Sequence, residues 1–406
     1  MELLAKILKP WLKKVDHSLY GGRKRNPFSR ENVINGMKTS QFKIFHRLVL
    51  GTFLFSASLG CAFFHNASGT IEAAASGQTV ERDHIFEVKH QGKTLAKLNG
   101  RFYMAPQWQD LPVVLFVPGS GNPSHLGTQK GNGLDTYTKT VNVYELWAKA
   151  LAAEGLSSFT YDKRTCQPVH ESGCHANPIA DIYEEGPVAL TKDVDAACSY
   201  LQRELVIPNQ NIILWTHGQG GQVVMASECG RNAALSVITS PITERVDRVL
   251  VRSLHHQSVV LRRQAESAPE ARVESLNARA RNIANRAASF EATFLSLESD
   301  RFIDGAKFLG VPLSFWYGWR NLTEDIDLQM AKHKGDLLIL SGEEDASLAL
   351  EDIRNLRRFD QENNIQVVFI PKSDHHLVNK NQISSQTSQL VIEKLKATWE
   401  EIRLAN

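Results

Sequence analysis

Several things are scarce in this 406-residue chain. It has five cysteines, and their spacing forms no zinc-ligand pattern. Its net charge is 46 − 44 = +2, too small for the electrostatic footprint of a nucleic-acid binder. It has no internal repeat, which excludes a solenoid. It has no low-complexity tract beyond one small-residue linker. The most consequential absence is a single side chain. The run Thr216-His217-Gly218-Gln219-Gly220-Gly221 follows the apolar segment Asn211–Trp215 and precedes a helix-like stretch, Gln222 to Cys229. Strand, tight glycine-rich turn, then helix is a layout that presents a nucleophilic oxygen at the apex of the turn. Here the apex is Gly218, and glycine has no oxygen to present.

The charge that is present is unevenly placed. Residues 1–47 hold 11 Lys and Arg against Glu2, Asp16 and Glu31, a balance of +8, which leaves about −6 for the remainder. Residues 48–64, Leu48 to Phe64, are 17 residues without a charge. That length lies between a signal-peptide core and a membrane span. Lys43 and Arg47 just before it favour an inward N-terminus. Ala73-Ala74-Ala75-Ser76 resembles a cleavage region, and Met37 opens a compact signal-like segment. The expectation is an exported, periplasmic or extracellular protein, with residues 48–64 a signal peptide or, if uncleaved, a membrane anchor. Residues 65–81 follow as a linker.

From residue 82 the pattern is that of a folded domain. Segments His84–Lys89 and Leu95–Met104 alternate like a hairpin. Val113-Val114-Leu115-Phe116-Val117 is a continuous apolar run, as expected of a strand covered on both faces. Helix 143–154, strand 157–161, helix 190–205, the elbow strand and its helix, and strand 236–239 then alternate. At Pro241 the alternation stops. Residues 242–330 show only helical periodicity, over 245–266 and 270–297, and an aromatic patch at Leu313–Trp319. This stretch is expected to be a helical lid inserted between two parts of one core, 82–241 and 331–406. Strand 336–340, helix 348–359, strand 366–370 and helix 386–404 complete it. The fold class expected is α/β: a mostly parallel sheet with helices on both faces.

Acyl transfer needs a nucleophile, a base, an acid that orients the base, and amides for the oxyanion. Three strand ends supply the remaining slots in order. Asp345, directly after strand 336–340, is the candidate acid, with Glu344 its rival. His375, after strand 366–370, is the candidate base, with His376 next. Gly119-Ser120-Gly121 ends the Val113–Val117 strand, where glycines let amides approach an oxyanion. The backbone amides of Ser120 and Gln219 are the candidate oxyanion donors. The Ser120 hydroxyl lies on the wrong strand to be the elbow nucleophile. Cys166 and Cys174 bracket a loop that a disulfide would close in an oxidising compartment. Cys198 and Cys229 fall in helices and are expected as buried thiols. No cofactor or metal site is indicated.

With these slots filled, residues 82–404 resemble the secreted bacterial carboxylesterases of the α/β-hydrolase superfamily that carry a helical lid. Phe116–Gly121 is similar to that family's apolar strand and His-Gly-Ser-Gly turn, with Pro118 in place of the histidine. Tyr161-Asp162-Lys163-Arg164 resembles its Tyr-Asp-Lys-Arg-Gly turn, with Thr165 in place of the glycine. Thr216–Gly221 resembles Gly-His-Ser-Gln-Gly-Gly at four of six positions. The resemblance implies an esterase-like scaffold for a small acyl or aryl ester. Gly218 at the nucleophile position puts serine catalysis in doubt. The alternative is an inactive binding protein for a lipid-like ligand or a protein partner.

Overall fold

The computed structural model describes residues 79–405 apart from 107, 109–110, 131–139, 170–172, 177–178, 298–305 and 361–363. The basic tail, the apolar run 48–64 and most of the linker lie outside the described residues. Among the described residues no helix is long and apolar enough to cross a membrane. The segment expected as linker to residue 81 gives way to strand earlier, because Val80 and Glu81 already pair with Met104 and Tyr103.

Eight strands form one sheet: β1 (Val80–His90), β2 (Lys93–Met104), β3 (Val113–Val117), β4 (Ser157–Tyr161), β5 (Ile212–His217), β6 (Leu235–Thr239), β7 (Asp336–Gly342) and β8 (Ile365–Ile370). Their order across the sheet is β1-β2-β4-β3-β5-β6-β7-β8. The β1–β2 and β2–β4 pairs are antiparallel and all others parallel. This is the expected α/β fold class, a mostly parallel sheet. Every residue of β3, β4 and β6 is buried, which is why these segments read as unbroken runs rather than alternations.

Helices cover both faces. On one, α1 (Val143–Ala153) and α9 (Ser385–Ala405) set Trp147, Leu151, Leu395 and Trp399 against Phe116, Trp215 and Leu338. On the other, α2 (Thr191–Glu204) and α3 (Gln219–Ala226) set Val194, Leu201 and Val223 against Leu115, Phe159 and Leu214. A one-turn helix, α4 (Glu228–Arg231), follows α3 and is capped by the Ser227 hydroxyl, which accepts from Gly230 N at 2.9 Å.

After β6 the chain leaves the sheet for a hairpin of two long helices, α5 (Val246–Glu266) and α6 (Glu270–Leu297), and then α7 (Leu313–Leu322). The aromatic patch lies on α7. Trp316 meets Phe290 of α6 edge to face at 5.3 Å between ring centres, and stacks with Trp319 at 5.9 Å. Helix α8 (Leu350–Phe359) then leads into β8.

The cysteines correct one expectation. Cys198 and Cys229 are not thiols but a disulfide, 31 positions apart in sequence and with a Cα–Cα distance of 6.4 Å. The α2 and α4 helices pack side by side behind α3, which brings the two positions together. Cys166 is also disulfide-bonded. The side chain of Cys174, its expected partner, lies outside the described residues.

Candidate active site

Four strand-end loops converge at the carboxyl ends of β3, β5, β7 and β8. Strand β5 ends at His217, and α3 begins at Gln219. The one residue between, Gly218, has φ 50° and ψ −115°. A side chain is strained at such a φ and glycine is not. Its N–H donates to the Thr239 carbonyl at 2.9 Å, which fixes the turn to β6. A Cβ placed on Gly218 would make only ordinary van der Waals contacts, with the Ser120 hydroxyl at 3.8 Å and the Ser240 carbonyl at 3.9 Å. The elbow thus keeps its backbone form and has room for the side chain it lacks.

Asp345 and His375 meet as the strand order implies. Asp345 Oδ2 lies 2.7 Å from His375 Nδ1. Asp345 is buried, 6% exposed, whereas Glu343 and its rival Glu344 are exposed. The carboxylate also accepts from Ser347 N at 2.8 Å, and Ser240 Oγ lies 3.3 Å from it. Burial pushes its pKa upward. The neighbouring His375 and these hydrogen bonds outweigh that and hold it below the usual carboxylate value. Bonding at Nδ1 leaves Nε2 as the nitrogen that takes up a proton. The loop carbonyl of His375 accepts from Ser240 Oγ at 2.7 Å and from His217 Nε2 at 3.1 Å. His376, the second candidate, instead stacks on His217 with ring centres 4.7 Å apart. Burial keeps His217 neutral, its pKa lowered from 6.5 to about 3.

The oxyanion side is built around a buried lysine. Lys163 Nζ donates to the Gly119 carbonyl at 2.7 Å and to Gln219 Oε1 at 2.8 Å. The first contact polarises the peptide whose N–H belongs to Ser120. The second holds the residue that contributes the other candidate amide. The Gly119 N–H is already committed to the Tyr144 hydroxyl at 3.1 Å, so it is not the donor. Gly119 is required by close approach, since a Cβ there would fall 2.5 Å from the His217 carbonyl. Burial lowers the pKa of Lys163 from 10.5 to about 7, partly opposed by Asp193. Its neighbours anchor the same turn. Asp162 accepts from Asn99 Nδ2 at 2.9 Å and from His125 N at 2.7 Å, and Arg164 pairs with Asp181 at 2.7 Å and Asp193 at 3.0 Å.

A cavity of about 330 Å³ opens over the elbow, a size suited to a small ligand. Gly218, Ser120, Asp345 and His375 form its floor, and Trp215 and Ile242 are among its walls. Val249, Leu250, Ser253 and Gln257 of α5 and Trp319 of α7 also line it. Helix α5 is tied over the cavity by Gln257 Nε2, which donates to Ser347 Oγ at 3.2 Å, and by Arg252, which pairs with Asp352 and Glu244. Among the described residues no group of three or more His, Cys, Asp and Glu is placed to hold a metal ion.

Three contributors escaped the sequence reading. Lys163 reads only as part of a turn and Tyr144 only as part of a helix, and no motif singles out Ser240. Ser240 had a faint signal, a hydroxyl at the end of a strand adjoining the elbow strand. Nothing in the spacing pairs Lys163 with residues 44 and 56 positions away.

No protein-family model matches the chain, and no curated protein matches it. Solved structures do share its course. The α/β hydrolase GrgF from Penicillium sp. sh18 is 14% identical, covers 80% of this chain and 99% of its own, and has a TM-score of 0.48. Est1E from Butyrivibrio proteoclasticus with ferulic acid bound is 15% identical, covers 79% of this chain and 99% of its own, and has a TM-score of 0.45. A thermophilic esterase from Thermogutta terrifontis is 16% identical, with 79% and 99% covered and a TM-score of 0.42.

Proposed function

We propose that this protein binds a small acyl or aryl ester in the cavity over Gly218 and acts on it with Asp345 and His375. The observation that carries this reading is the 2.7 Å Asp345–His375 contact beside an elbow whose backbone form and side-chain space are retained. In this arrangement Asp345 orients the imidazole and stabilises its protonated form, and His375 Nε2 moves the proton. The Ser120 and Gln219 amides face the developing oxyanion, braced by Lys163. Apolar walls from Trp215, Ile242, Val249 and Leu250 favour an acyl or aryl group over a sugar. The α5–α6 hairpin serves as the lid.

The empty elbow favours a second reading, binding without turnover. One experiment separates the two: hydrolysis of p-nitrophenyl acetate and butyrate by the full chain, Gly218→Ser and His375→Ala. A rate in the full chain that His375→Ala abolishes supports the enzyme. An inert full chain whose Gly218→Ser variant acquires a His375-dependent rate supports an ester-binding scaffold that lacks only its nucleophile. An inert Gly218→Ser variant sinks the ester-site reading.

We further propose that the protein is exported. The signal-like segment 37–76 supports this, as do the disulfide at Cys198–Cys229 and the bonded state of Cys166, since such bonds persist in oxidising compartments. Recovery of the protein from the cytoplasm with free thiols would overturn it.

A further inference from the structure

We infer that Ser120 supplies the nucleophilic oxygen that the elbow lacks. This rests on the ester-site reading above and names the group that reading leaves open. The first side-chain atom that a Cβ on Gly218 would meet is Ser120 Oγ, at 3.8 Å. The ordinary nucleophilic oxygen is one bond beyond that Cβ, so the Ser120 hydroxyl stands beside its place rather than across the cavity. Ser120 is exposed, and it lines the cavity with Gly218 and His375.

Other hydroxyls near the elbow are engaged elsewhere. Ser240 Oγ donates to the His375 carbonyl and faces Asp345. Thr216 Oγ1 donates to the Val117 carbonyl at 3.3 Å, and Thr239 Oγ1 to the Thr216 carbonyl at 3.0 Å. Ser120 sits on a fixed loop, because Lys163 holds the Gly119 carbonyl and Tyr144 holds the Gly119 N–H. In serine triads the nucleophile's own amide also serves the oxyanion, so the two roles of Ser120 are compatible. The absence of a side chain at 218 is what leaves room for an acyl group beside Ser120.

The chemistry balances with ester and water alone. Ser120 Oγ bonds to the carbonyl carbon as the carbonyl π pair moves onto oxygen, and the hydroxyl proton passes to His375 Nε2. Collapse breaks the bond to the leaving alcohol, which takes that proton and departs, leaving acyl-Ser120. Water then attacks the acyl carbon and gives a proton to His375. Release of the carboxylic acid returns that proton to Ser120 Oγ.

The test treats the full chain with a fluorophosphonate that labels activated serines, and maps the modified peptide by mass spectrometry. The expected result is a label on Ser120, reduced at least tenfold in Ser120→Ala and in His375→Ala, with ester hydrolysis falling in parallel. A full chain unlabelled at Ser120, or a Ser120→Ala variant that hydrolyses ester at the parent rate, overturns the inference. Gly218→Ser separates the two failures. If it takes the label at 218 and hydrolyses ester while the parent does neither, Ser120 is not the nucleophile and the ester site stands. If it too is inert, both readings fall. Ser120→Cys adds a readout free of substrate. Its thiol should alkylate at least tenfold faster at pH 6 with His375 present than in the Ser120→Cys/His375→Ala double variant, and equal rates would overturn the proximity on which the inference depends.

Discussion

The two corners of the site differ sharply. At the acid–base corner nearly every atom is spoken for: Asp345 is buried and takes hydrogen bonds from His375 and the Ser347 amide, and the Ser240 hydroxyl and His217 hold the His375 carbonyl. At the elbow the backbone is equally fixed, yet the side-chain space is empty. The difference separates what a fold preserves from what a reaction needs. An elbow is made by main-chain dihedrals, which glycine adopts more easily than serine. A triad is made by side chains, and two of its three positions are filled.

The sharpest way to break this contrast is to fill the empty corner. Gly218→Ser should raise p-nitrophenyl acetate hydrolysis and move covalent labelling from Ser120 to residue 218, because the elbow apex is the ordinary place of the nucleophile. Asp345→Asn should lower hydrolysis by about 10⁴-fold in either background, because it leaves His375 in the wrong tautomer. The gain has a cost: a non-glycine residue at φ 50° should lower unfolding stability by about 1–2 kcal/mol, read from denaturant midpoints.

The next effect tests what backs the elbow. Removing the Cys198–Cys229 bridge with alanines should cost about 2–4 kcal/mol in thermal or chemical unfolding. A bridge that mattered only locally would instead leave the unfolding midpoint in place.

Acid should then act on buried histidines at both ends of the sheet, His217 and His376 at the site and His333 before the start of β7. Burial lowers His217 to about 3, His376 well below its ordinary value and His333 to about 4, all from 6.5. The unfolded chain therefore binds protons first as pH falls below 6.5, and stability declines from there toward pH 3. For the deeply buried His333 the loss at pH 5 is about 2 kcal/mol, and it is smaller for the half-buried His217. A melting temperature unchanged between pH 7 and 5 would contradict this.

The smallest effect joins the two corners. Lys163→Met should lower kcat about tenfold in the Gly218→Ser background with KM nearly unchanged, because it releases the peptides that carry the oxyanion amides. With a pKa lowered to about 7 in the fold, Lys163 makes its charged form a burden at low pH, so its contribution to stability improves as pH rises from about 7 to 10.5. The methionine variant should lose that rise.

What was legible in the sequence follows the same division. Val113–Val117 and Ser157–Tyr161 were read to the residue, because strands buried on both faces are continuous apolar or small runs ended by proline, glycine or charge. Asp345 and His375 were legible because strand order fixes where such residues emerge. Helix α3 begins three residues earlier than expected, at Gln219, because Gly220 and Gly221 look like turn residues until packing holds them. The disulfide was missed because only the packing of α2 on α4 reveals it. Lys163, Tyr144 and Ser240 were missed because each acts on residues far away in sequence, through carbonyls and amides that carry no side-chain signature.

The α5–α6 hairpin carries a further consequence. Its base is fastened by Arg252 and by the Phe290–Trp316 contact. Its far end is held by a small separate cluster, Leu261, Ala265, Leu276 and Ala280, and by Ser258 donating to the Ala280 carbonyl. An arm clamped at one end and self-supported at the other works as a cantilever. Amide protons should exchange slowly at its root and faster toward residues 267–270, so access to the cavity would be governed by flexing of a lever rather than by unfolding of a gate.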